Sequence, residues 1–555
     1  MTDQARGGFD FDFVSTIELI ARTFPDRPAV IHETRCETFS DFIGRAHRLA
    51  RFLSDRGFGC FTERSELAGH EVGQHLMAQY LHNSPEYLEG MIGAYGARVA
   101  PFNVNYRYGV EELGYILRDA RPAIIQFHST FAPLLREALG SELSGVLLLQ
   151  VADDSDEPLL PGAIDYEQAL AAAEPALVVT PRADDLYVLY TGGTTGMPKG
   201  VLWRQADIAV SACGLQDRRN RREWASVEEF TASLAPIAGR VMPCAPLMHG
   251  AAQWGALQAL TSGSTVVLPG VTTHFDPTDV VDTVVLHGVT QLGIVGDAFA
   301  VPLLAELERR PRVLPSLRHI VSGGAALQPT HKERLLAAMP GMRIVETIGA
   351  SESGIQGRSE VRDVAGAEAR GFRRAAGTVV VAEDRSSLLR AGHPGIGWLA
   401  SRGRVPLGYL GDAEKTRESF PVIAGERLSL PGDRARLLDS DVVQLLGRDG
   451  ATVNSGGEKI FAEEVEAAVK AHPAVADAVV CGRPSMRWGS EVVGIVALRP
   501  GALVTERELR NWCGSRIASF KVPKAIVFVA AVQRTAIGKA DYRWAAEHAT
   551  ATSVG

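Results

Sequence analysis

Short, continuously apolar runs alternate with longer stretches in which apolar residues recur three and four positions apart, from about residue 186 onward. Runs of the first kind predict buried strands, and stretches of the second kind predict helices. The clearest strand candidates in this region are LYVLY, STVVLPG, LRHIVSGG and GMRIVETIG. Glycine-containing turns follow most of them, which is where open α/β sheets place ligand-binding loops. The pattern predicts an α/β fold with its sites at those turns.

Both ends of the chain show the same mixture of helical and strand-like spacing of apolar residues. FSDFIGRAHRLARFLSDRG has helical spacing, and HLMAQYLHNSPEYLEGMIGAYGARVAPFNVNYRY predicts a strand, a helix, a strand and a turn. After turn-rich residues 447–457, a helix, two strands, a helix and a strand are predicted in AEEVEAAVKAH, VADAVVCG, EVVGIVAL, TERELRNWCGSRI and KAIVFVAAV. This last pattern is typical of a separate small domain of about 105 residues.

Residues 280–304 form the longest apolar region, but Asp282, His287 and Asp297 interrupt it. We expect buried strands and helices there, because a membrane span needs ~20 predominantly apolar residues in a row. The stretch MTDQARGGFDFDF carries acidic residues where a secretion signal would have an apolar segment. No transmembrane segment is predicted, and peripheral contact with a membrane stays open.

The composition is that of an enzyme-sized globular protein, with 555 residues of which 46% are hydrophobic and 22% charged. The net charge of −8 argues against nucleic-acid binding, which requires concentrated lysine and arginine. The six cysteines are scattered, with no CxxC pair and no His/Cys cluster at zinc spacing, so we expect a reducing, cytoplasmic location. Only eight of the 57 basic residues are lysine, which makes the lysines inside motifs informative.

The stretch YTGGTTGMPKG, residues 190–200, packs four glycines and three threonines around one lysine. Glycine lets backbone N–H groups turn toward phosphate oxygens, and hydroxyls and an ammonium group add further donors. The loop differs from the GxxxxGK[ST] pattern of P-loop enzymes, since Lys199 follows Pro198 and precedes Gly200. We therefore expect a phosphate-binding loop of another kind.

Residues 191–200 resemble the signature loop of the adenylate-forming superfamily, which includes acyl-CoA synthetases, luciferases and peptide-synthetase adenylation domains. Further stretches resemble the family's other motifs in the family's order: PLMHG, SGGAAL, TIGASESG, LPGD, LLGRDG, SGGEKIFAEEVE and RTAIGKADY. The resemblance implies a large adenylate-forming domain of several subdomains over residues 1–447, a hinge at 448–450 and a small mobile α/β domain over 451–555. The sequence is most similar to bacterial fatty-acid and steroid side-chain CoA ligases.

The resemblance also implies the residues of the site. Those expected to bind ATP or AMP are Thr191, Gly192, Gly193, Thr194, Thr195, Gly196, Lys199, Gly323, Gly324, Ser351, Asp433 and Arg448. Those expected to bind the acyl group are His249, Trp254, Gly324 and Ile348. Gly456 and Gly457 would allow coenzyme A to approach closely. Glu352 would hold Mg2+ and take part in catalysis, and Lys539 would be the catalytic lysine of adenylation.

Two positions depart from the family pattern. Ile348 stands where an aromatic side chain usually lies beside adenine, and Gly450 stands at the hinge, where Asp or Lys is frequent. Isoleucine still offers an apolar face to the base, and glycine tolerates the wide φ/ψ changes of a pivot while giving up side-chain interactions. We expect nucleotide binding and hinge motion to be retained.

These assignments predict an ATP-dependent acyl-CoA synthetase that converts a hydrophobic acid, a fatty acid or a steroid side-chain acid, into its CoA thioester through acyl-AMP. The carboxylate and ATP repel each other, so the loop, Mg2+ on Glu352 and the ammonium of Lys539 would neutralise charge at the α-phosphorus. The expected partners are the acid, ATP and coenzyme A, with no nucleic acid, and a homodimer is also open. Three alternatives stay open: an acyl-AMP ligase that loads a carrier protein, a catalytically decayed regulator that binds nucleotide or acyl groups, and a luciferase-like oxygenase.

Overall fold

The computed structural model of the chain describes residues 8–191, 198–217, 220, 222–235, 237–363, 366, 371–438, 441–448, 452–455, 458–485, 489–517, 519–534 and 540–551. The helices and strands of the N-terminal third are α1 (Phe13–Thr23), β1 (Pro28–His32), β2 (Arg35–Thr38), α2 (Phe39–Ser54), β3 (Leu76–Tyr80), α3 (Pro85–Gly96), β4 (Ala100–Asn103), α4 (Val110–Ala120), β5 (Ile124–His128), α5 (Ala132–Leu139), β6 (Leu147–Val151), β7 (Ile164–Asp165), α6 (Tyr166–Ala171) and β8 (Leu186–Thr191).

The central part carries the strands and helices that follow the predicted phosphate loop. They are β9 (Lys199–Arg204), α7 (Gln205–Ser211), α8 (Val227–Ser233), β10 (Arg240–Pro243), α9 (Gly250–Thr261), β11 (Thr265–Leu268), α10 (Pro277–His287), β12 (Gln291–Ile294), α11 (Gly296–Arg309), β13 (His319–Gly323), α12 (Pro329–Ala338), β14 (Arg343–Ala350) and β15 (Gly354–Val361).

The remaining elements are mostly short strands before residue 448 and a mixture of helices and strands after it. They are β16 (Phe372–Arg374), β17 (Thr378–Val381), β18 (Gly397–Arg402), β19 (Gly408–Tyr409), α13 (Ala413–Ser419), β20 (Val422–Ile423), β21 (Glu426–Ser429), β22 (Asp433–Leu437), β23 (Val442–Arg448), β24 (Thr452–Ser455), β25 (Glu458–Phe461), α14 (Ala462–Lys470), β26 (Val475–Ser485), β27 (Gly489–Leu498), α15 (Glu506–Gly514), β28 (Ala525–Val529) and α16 (Tyr542–Ala551).

A parallel sheet with the strand order β4-β3-β5-β6-β7 forms the first layer. Residues of α2, α3 and α6 pack on one face of it and residues of α4 and α5 on the other, which explains why its four longer strands are almost wholly buried. Local sequence signals begin two of these helices: Thr38 and Asp41 form a capping box at α2, and Ser84 caps α3 directly before Pro85.

The largest sheet of the described residues changes from parallel to antiparallel pairing near its middle. Its strand order is β2-β1-β11-β10-β12-β13-β14-β15-β16-β23-β22-β18-β21-β20, with β17 paired to β18. Strands β1, β11, β10, β12, β13 and β14 are parallel neighbours, and pairing is antiparallel from β14 to β15 onward. The carboxyl ends of the parallel strands therefore meet at one edge, where α/β sheets bind ligands.

Beyond β23 the chain folds into a smaller unit. Strands β24 and β25 form a hairpin, β26 and β27 are antiparallel, and β28 is parallel to β27. Residues of α14 and α15 pack on one face of the three-stranded sheet, and residues of α16 pack on the other. This agrees with the helix and strand order predicted for this part of the sequence.

The predicted strands of the core are confirmed as β8, β11, β13 and β14. The apolar region of residues 280–304 is made of α10, β12 and α11, as expected. Among the described residues, none of the helices is both long and apolar enough to cross a bilayer. All six cysteines are free thiols.

Candidate active site

Four parallel strands bring several of the predicted site residues to one edge of the large sheet. Strands β10, β12, β13 and β14 are adjacent and parallel. Their carboxyl ends lead into the segments that contain His249, Gly324 and Glu352. These segments are far apart in sequence, and the parallel pairing alone brings them together.

The turn after β13 is fixed by close backbone packing. A Cβ atom on Gly323 would lie 2.5 Å from Oγ1 of Thr347, the residue paired with it on β14. Gly324 has a φ of +85°, in the region that favours glycine. The Ser322 hydroxyl accepts a hydrogen bond of 3.1 Å from the Gly296 amide, which ties the turn to the start of α11. The two predicted glycines are thus required by geometry.

Lys199 begins the second strand of a hairpin, just after the part of the predicted phosphate loop that lies outside the described residues. Strands β8 and β9 are antiparallel, and Thr191 pairs with Lys199. The Lys199 ammonium forms an ion pair with Asp412, and the two side chains are 44% and 31% exposed. The hydrogen bond from Lys199 lowers the pKa of Asp412 below its ordinary value. Asp412 also caps α13 by accepting a 2.9 Å hydrogen bond from the Lys415 amide.

Glu352 is held from several directions in the turn between β14 and β15. The Tyr409 hydroxyl donates to Oε1 of Glu352 at 3.1 Å, and the Ser429 hydroxyl donates to its backbone carbonyl. The Trp203 indole donates to the carbonyl of Ser351 at 2.8 Å. These bonds come from β19, β21 and β9, so three strands orient the predicted magnesium ligand.

Tyr409 links the two charged residues of the site. The Lys199 ammonium lies 6.0 Å from the centre of the Tyr409 ring, whose hydroxyl bonds Glu352. Sequence reasoning missed both Tyr409 and Asp412. Their only signal is a GYLGD turn, and their position depends on the pairing of Tyr409 with Val201 across about 200 residues of chain.

Two buried asparagines fix the segment that precedes His249. Asn103 donates to the carbonyls of Tyr190 and Met248 at 2.9 and 2.7 Å, and so joins the end of β8 to this segment. Asn83 donates to the carbonyl of Ala245 at 3.1 Å. The predicted acyl-binding segment is therefore anchored to both the parallel sheet and the hairpin of the predicted phosphate loop.

The predicted acyl-binding residues occupy different depths. His249 precedes the first turn of α9, and Trp254 is 9% exposed in the core beneath it. A Cβ on Gly250 would lie 2.8 Å from Leu189 and 3.3 Å from the Trp254 ring, so α9 packs closely on β8. Ile348 is half-buried on β14, opposite Gly357, and packs against the apolar cluster of β17, β18, β22 and β23.

A small crevice lies between the parallel sheet and the large sheet. Its lining residues are Asn83, Tyr106, Arg107, Cys244, Pro246, Pro269, Val271, Thr272, His274, Phe275 and Phe299. The rings of Phe275 and Phe299 are 4.6 Å apart, and burial raises the pKa of Cys244 to about 12, so its thiol is neutral. Pro246 belongs to the His249 segment, and Phe299 follows the turn that contacts Ser322.

Other predicted residues are described only in part. Asp433 begins β22 and pairs with Arg448, the last residue of β23, of which only the backbone is described. The following predicted residues lie outside the described residues: Gly192, Gly193, Thr194, Thr195, Gly196, Gly450, Gly456, Gly457 and Lys539.

Comparisons with known proteins decide the family. Residues 17–410 match the AMP-binding enzyme family, and residues 464–539 match the AMP-binding enzyme C-terminal domain. The chain belongs to the AMP-binding enzyme family. It is 48% identical to the medium-chain acyl-CoA ligase Mig from Mycobacterium avium over 97% of this chain and 98% of that protein. It is 36% identical to a 3-oxocholest-4-en-26-oate–CoA ligase from Rhodococcus rhodochrous over 94% and 93% of the two chains.

The chain also shares its fold with CoA ligases of known structure. The anthranilate CoA ligase AuaEII, crystallised with anthranoyl-AMP, superimposes with a TM-score of 0.80 at 22% identity over 98% of both chains. The chain has the architecture of this family, a large N-terminal adenylate-forming domain followed by a small C-terminal domain. With acyl-CoA ligases as its relatives along nearly its whole length, it is an AMP-forming acid–thiol ligase.

Proposed function

We propose that this AMP-binding enzyme activates a fatty acid or a steroid side-chain acid with ATP and transfers the acyl group to coenzyme A through acyl-AMP. The observation that carries the proposal is the cluster of Lys199, Tyr409 and Glu352 at the carboxyl edge of the parallel strands. The ammonium group of Lys199 suits the phosphates of a nucleoside triphosphate, and the carboxylate of Glu352 suits the metal cation that accompanies them. Tyr409 contacts both groups.

The Lys199 ion pair is suited to exchange for a phosphate. Exposed ion pairs contribute only ~0.2–1 kcal/mol, so the Asp412 carboxylate holds Lys199 weakly. A phosphate group carries more negative charge than one carboxylate and offers several acceptor oxygens. Lys199 would therefore leave Asp412 for the phosphates of ATP, while the predicted loop residues would contribute backbone donors.

The residues present fit Mg2+. Mg2+ is usually bound by one or two carboxylates together with substrate phosphates, and it keeps several waters. Glu352 supplies one carboxylate, and Tyr409 bonds only its Oε1, so Oε2 faces no bond from Tyr409. Among the described residues, no group of three His, Cys, Asp or Glu side chains could hold a metal ion elsewhere. When bound, the ion would neutralise charge on the phosphates. Tyr409 orients Glu352 for this role.

The remaining roles follow from family membership and are part of the proposal. The Lys539 ammonium would lie between the substrate carboxylate and the α-phosphate, where negative charge accumulates in the transition state. Asp433 and Arg448 would bind the ribose. The domain of residues 451–555 would then rotate about 448–450 to bring Gly456 and Gly457 to coenzyme A. A cytoplasmic location and a homodimer stay predictions.

The crevice supports a hydrophobic acid. Phenylalanine, proline and valine make up much of its lining, and the lining residues that the structure describes include no carboxylate to pair with the ammonium group of an amino acid. The relatives named above act, by their names, on medium-chain acids and on a steroid acid. We infer that the hydrocarbon part of the acid extends from His249 toward Phe299.

The test is a product screen with the purified full-length chain. ATP, Mg2+, coenzyme A and a mixture of medium-chain, long-chain, aromatic and sterol acids are incubated with the enzyme, and thioesters are identified by mass spectrometry. CoA thioesters of fatty or sterol acids, formed with AMP and pyrophosphate, are the expected result. Acyl-AMP without transfer to coenzyme A would favour a carrier-protein ligase instead. ATP binding without turnover would favour a regulator.

A further inference from the structure

One carboxylate on α11 joins the two turns that follow β12 and β13. Oδ1 of Asp297 accepts a hydrogen bond of 3.0 Å from the Gln328 amide and one of 2.7 Å from Nδ1 of His331. The Asp297 amide donates to the Ala326 carbonyl at 3.1 Å. Asp297 therefore bonds both the turn that contains Gly324 and the first turn of α12.

Close backbone packing holds Asp297 beside this turn. The residue before it, Gly296, has a φ of +51°, and a Cβ atom there would collide with the Ala326 carbonyl oxygen. The Gly296 amide also donates to the Ser322 hydroxyl at 3.1 Å. Only glycine allows this approach, so the start of α11 and the turn after β13 lie in direct contact.

The two helices that begin here depend on support from outside. α11 begins after Val295, whose side chain has no hydrogen-bonding group, and α12 begins after Gln328, whose side chain caps none of the described amides of its helix. Pro302 inside α11 has no amide hydrogen and cannot donate to the Ala298 carbonyl one turn earlier. The first turn of α11 is thus held weakly by its own helix, and the carboxylate of Asp297, a group that stabilises helix beginnings, ties it to α12.

Two walls of the proposed acyl site are connected through these bonds. Phe299, in the same first turn of α11, lines the crevice beside Phe275. Gly324, a predicted acyl-binding residue, lies in the turn that Asp297 bonds, and a Cβ there would lie 3.7 Å from Val295. The distance between Phe299 and the turn of Gly324 therefore depends on the bonds of Asp297.

We propose that Asp297 is a positioning residue for the acid: it holds the turn of Gly324 at a fixed distance from Phe299. The inference rests on the proposed function, because it takes the acid to bind between these two walls. Without the carboxylate the turn and the start of α11 separate, and the acid loses its alignment with ATP. The KM for coenzyme A, which enters after acyl-AMP has formed, reports on the rest of the enzyme.

The experiment measures initial rates of the full-length enzyme with ATP, Mg2+, acid and coenzyme A, and varies one substrate at a time. The acid is decanoic acid, or a sterol acid if the product screen yields only sterol thioesters. Asp297→Ala is expected to raise the KM for the acid by about 10- to 100-fold, since small misplacements in a site have effects of that size. The KM for coenzyme A is expected to stay within about threefold of wild type. A loss of folded enzyme would lower kcat alone, so the two KM values separate positioning from stability.

Asp297→Asn is the conservative variant. Its amide oxygen can accept from Gln328 and His331 in place of the carboxylate, so the KM for the acid should return to within about threefold of wild type. Asp165→Ala is the matched control, because Asp165 also accepts a bond, of 2.9 Å, from a first-turn amide, that of Gln168 in α6 beside the parallel sheet. Both KM values should stay unchanged in this control.

If Asp297→Ala does not fold, His331→Leu takes its place. Leucine keeps most of the volume of the buried histidine and cannot donate to Oδ1 of Asp297. His331→Leu must then raise the KM for the acid at least threefold and leave that for coenzyme A unchanged.

Three results would overturn the inference. The first is an unchanged KM for the acid in Asp297→Ala, or in His331→Leu where that variant replaces it. The second is a loss of kcat alone, or an equal rise of both KM values, which indicates a general structural role. The third is the same defect in Asp297→Asn as in Asp297→Ala. A wild-type enzyme that forms no thioester from any acid would instead contradict the proposed function, and the inference with it.

Discussion

The charged residues of the candidate site are positioned by uncharged neighbours, and the arrangement of the charges depends on which residues these neighbours are. Tyr409 separates Lys199 from Glu352 and bonds the carboxylate, so the two opposite charges lie close without forming an ion pair with each other. Glycine at 323 is required for a related reason, since its backbone contacts Thr347 where any side chain would collide. At this scale the site depends on close packing around a few charged groups.

Replacement of Lys199 by alanine should raise the KM for ATP by about 10- to 100-fold, because a hydrogen bond to a charged phosphate oxygen is lost. The free energy of unfolding should change little, since the ion pair with Asp412 is exposed. Steady-state kinetics with varied ATP and thermal melts measure the two quantities. Lys415→Ala is the control, because Lys415 is equally exposed at 46% and pairs with Glu418. An unchanged KM for ATP in Lys199→Ala would remove its assigned role.

Replacement of Gly323 by alanine should destabilise the enzyme by about 1–3 kcal/mol through overpacking, since the new Cβ would lie 2.5 Å from Oγ1 of Thr347. Removing that oxygen in Gly323→Ala/Thr347→Ala should restore much of the stability, which a double-mutant cycle measures. In contrast, Gly44→Ala in α2 meets no atom within 4 Å and should stabilise by about 0.5–1 kcal/mol. Additive effects of the two site substitutions would contradict a direct clash.

At the scale of elements, hydrophobic pattern and local signals determine most of what is observed. The apolar runs of β8 and β11 were identifiable because these strands are buried on both faces, those of β13 and β14 because apolar residues dominate them, and capping residues begin α2 and α3. The pairing of the two-residue strand β19 with β9 was not identifiable, because it depends on long-range packing. Tyr409 and Asp412 reach the site only through that pairing, so no local signal could predict them.

A buried ionic cluster joins four elements of the N-terminal part. Its centre is Glu89 of α3, which is fully buried and lies 2.6 Å from Arg35, 3.0 Å from Arg45 and 3.2 Å from the Tyr166 hydroxyl. The further acidic residues around the two arginines are Glu37, Glu86 and Glu167. Burial first, and then the charge of Glu37, raise the pKa of Glu89 above its ordinary value of 4.5.

This cluster predicts a stability that falls as pH rises. Between pH 4.5 and about 8, to which the pKa of Glu89 is raised, Glu89 is ionised in the unfolded chain but keeps its proton in the folded one, so the folded state binds more protons. The free energy of unfolding should then fall by about 1 kcal/mol per pH unit through this range. Glu89→Gln, which cannot ionise, should reduce the slope in urea titrations at several pH values and constant salt. Glu167→Gln, on the exposed side of Arg45, should leave the slope intact; a slope unchanged in Glu89→Gln would contradict the assignment.

On the scale of the whole molecule, the site lies where two sheets meet. The parallel sheet contributes Asn83 and Tyr106 to the crevice, and the large sheet contributes Cys244, Phe275 and Phe299. Neither sheet encloses the space alone, so under the proposed function acid specificity would depend on how the two pack together. Family membership identifies the chemistry, but the shape of this space was not readable from sequence, since its walls come from segments as far apart as Asn83 and Phe299, more than 200 residues.

Phe299→Ala should therefore widen the space available to the acid. Removing one of two rings whose centres are 4.6 Å apart leaves room for a longer or bulkier hydrocarbon, and the pocket loses contacts with short acids. The ratio of kcat/KM for sterol or long-chain acids to that for medium-chain acids should rise about 10-fold or more, the usual size of such packing effects. Phe58→Ala is the control for the general cost of truncation, because Phe58 is a partly buried phenylalanine beside His75 on the parallel-sheet side. If the two variants show the same ratio as wild type, Phe299 does not contact the acid, and the hydrocarbon must leave His249 in another direction.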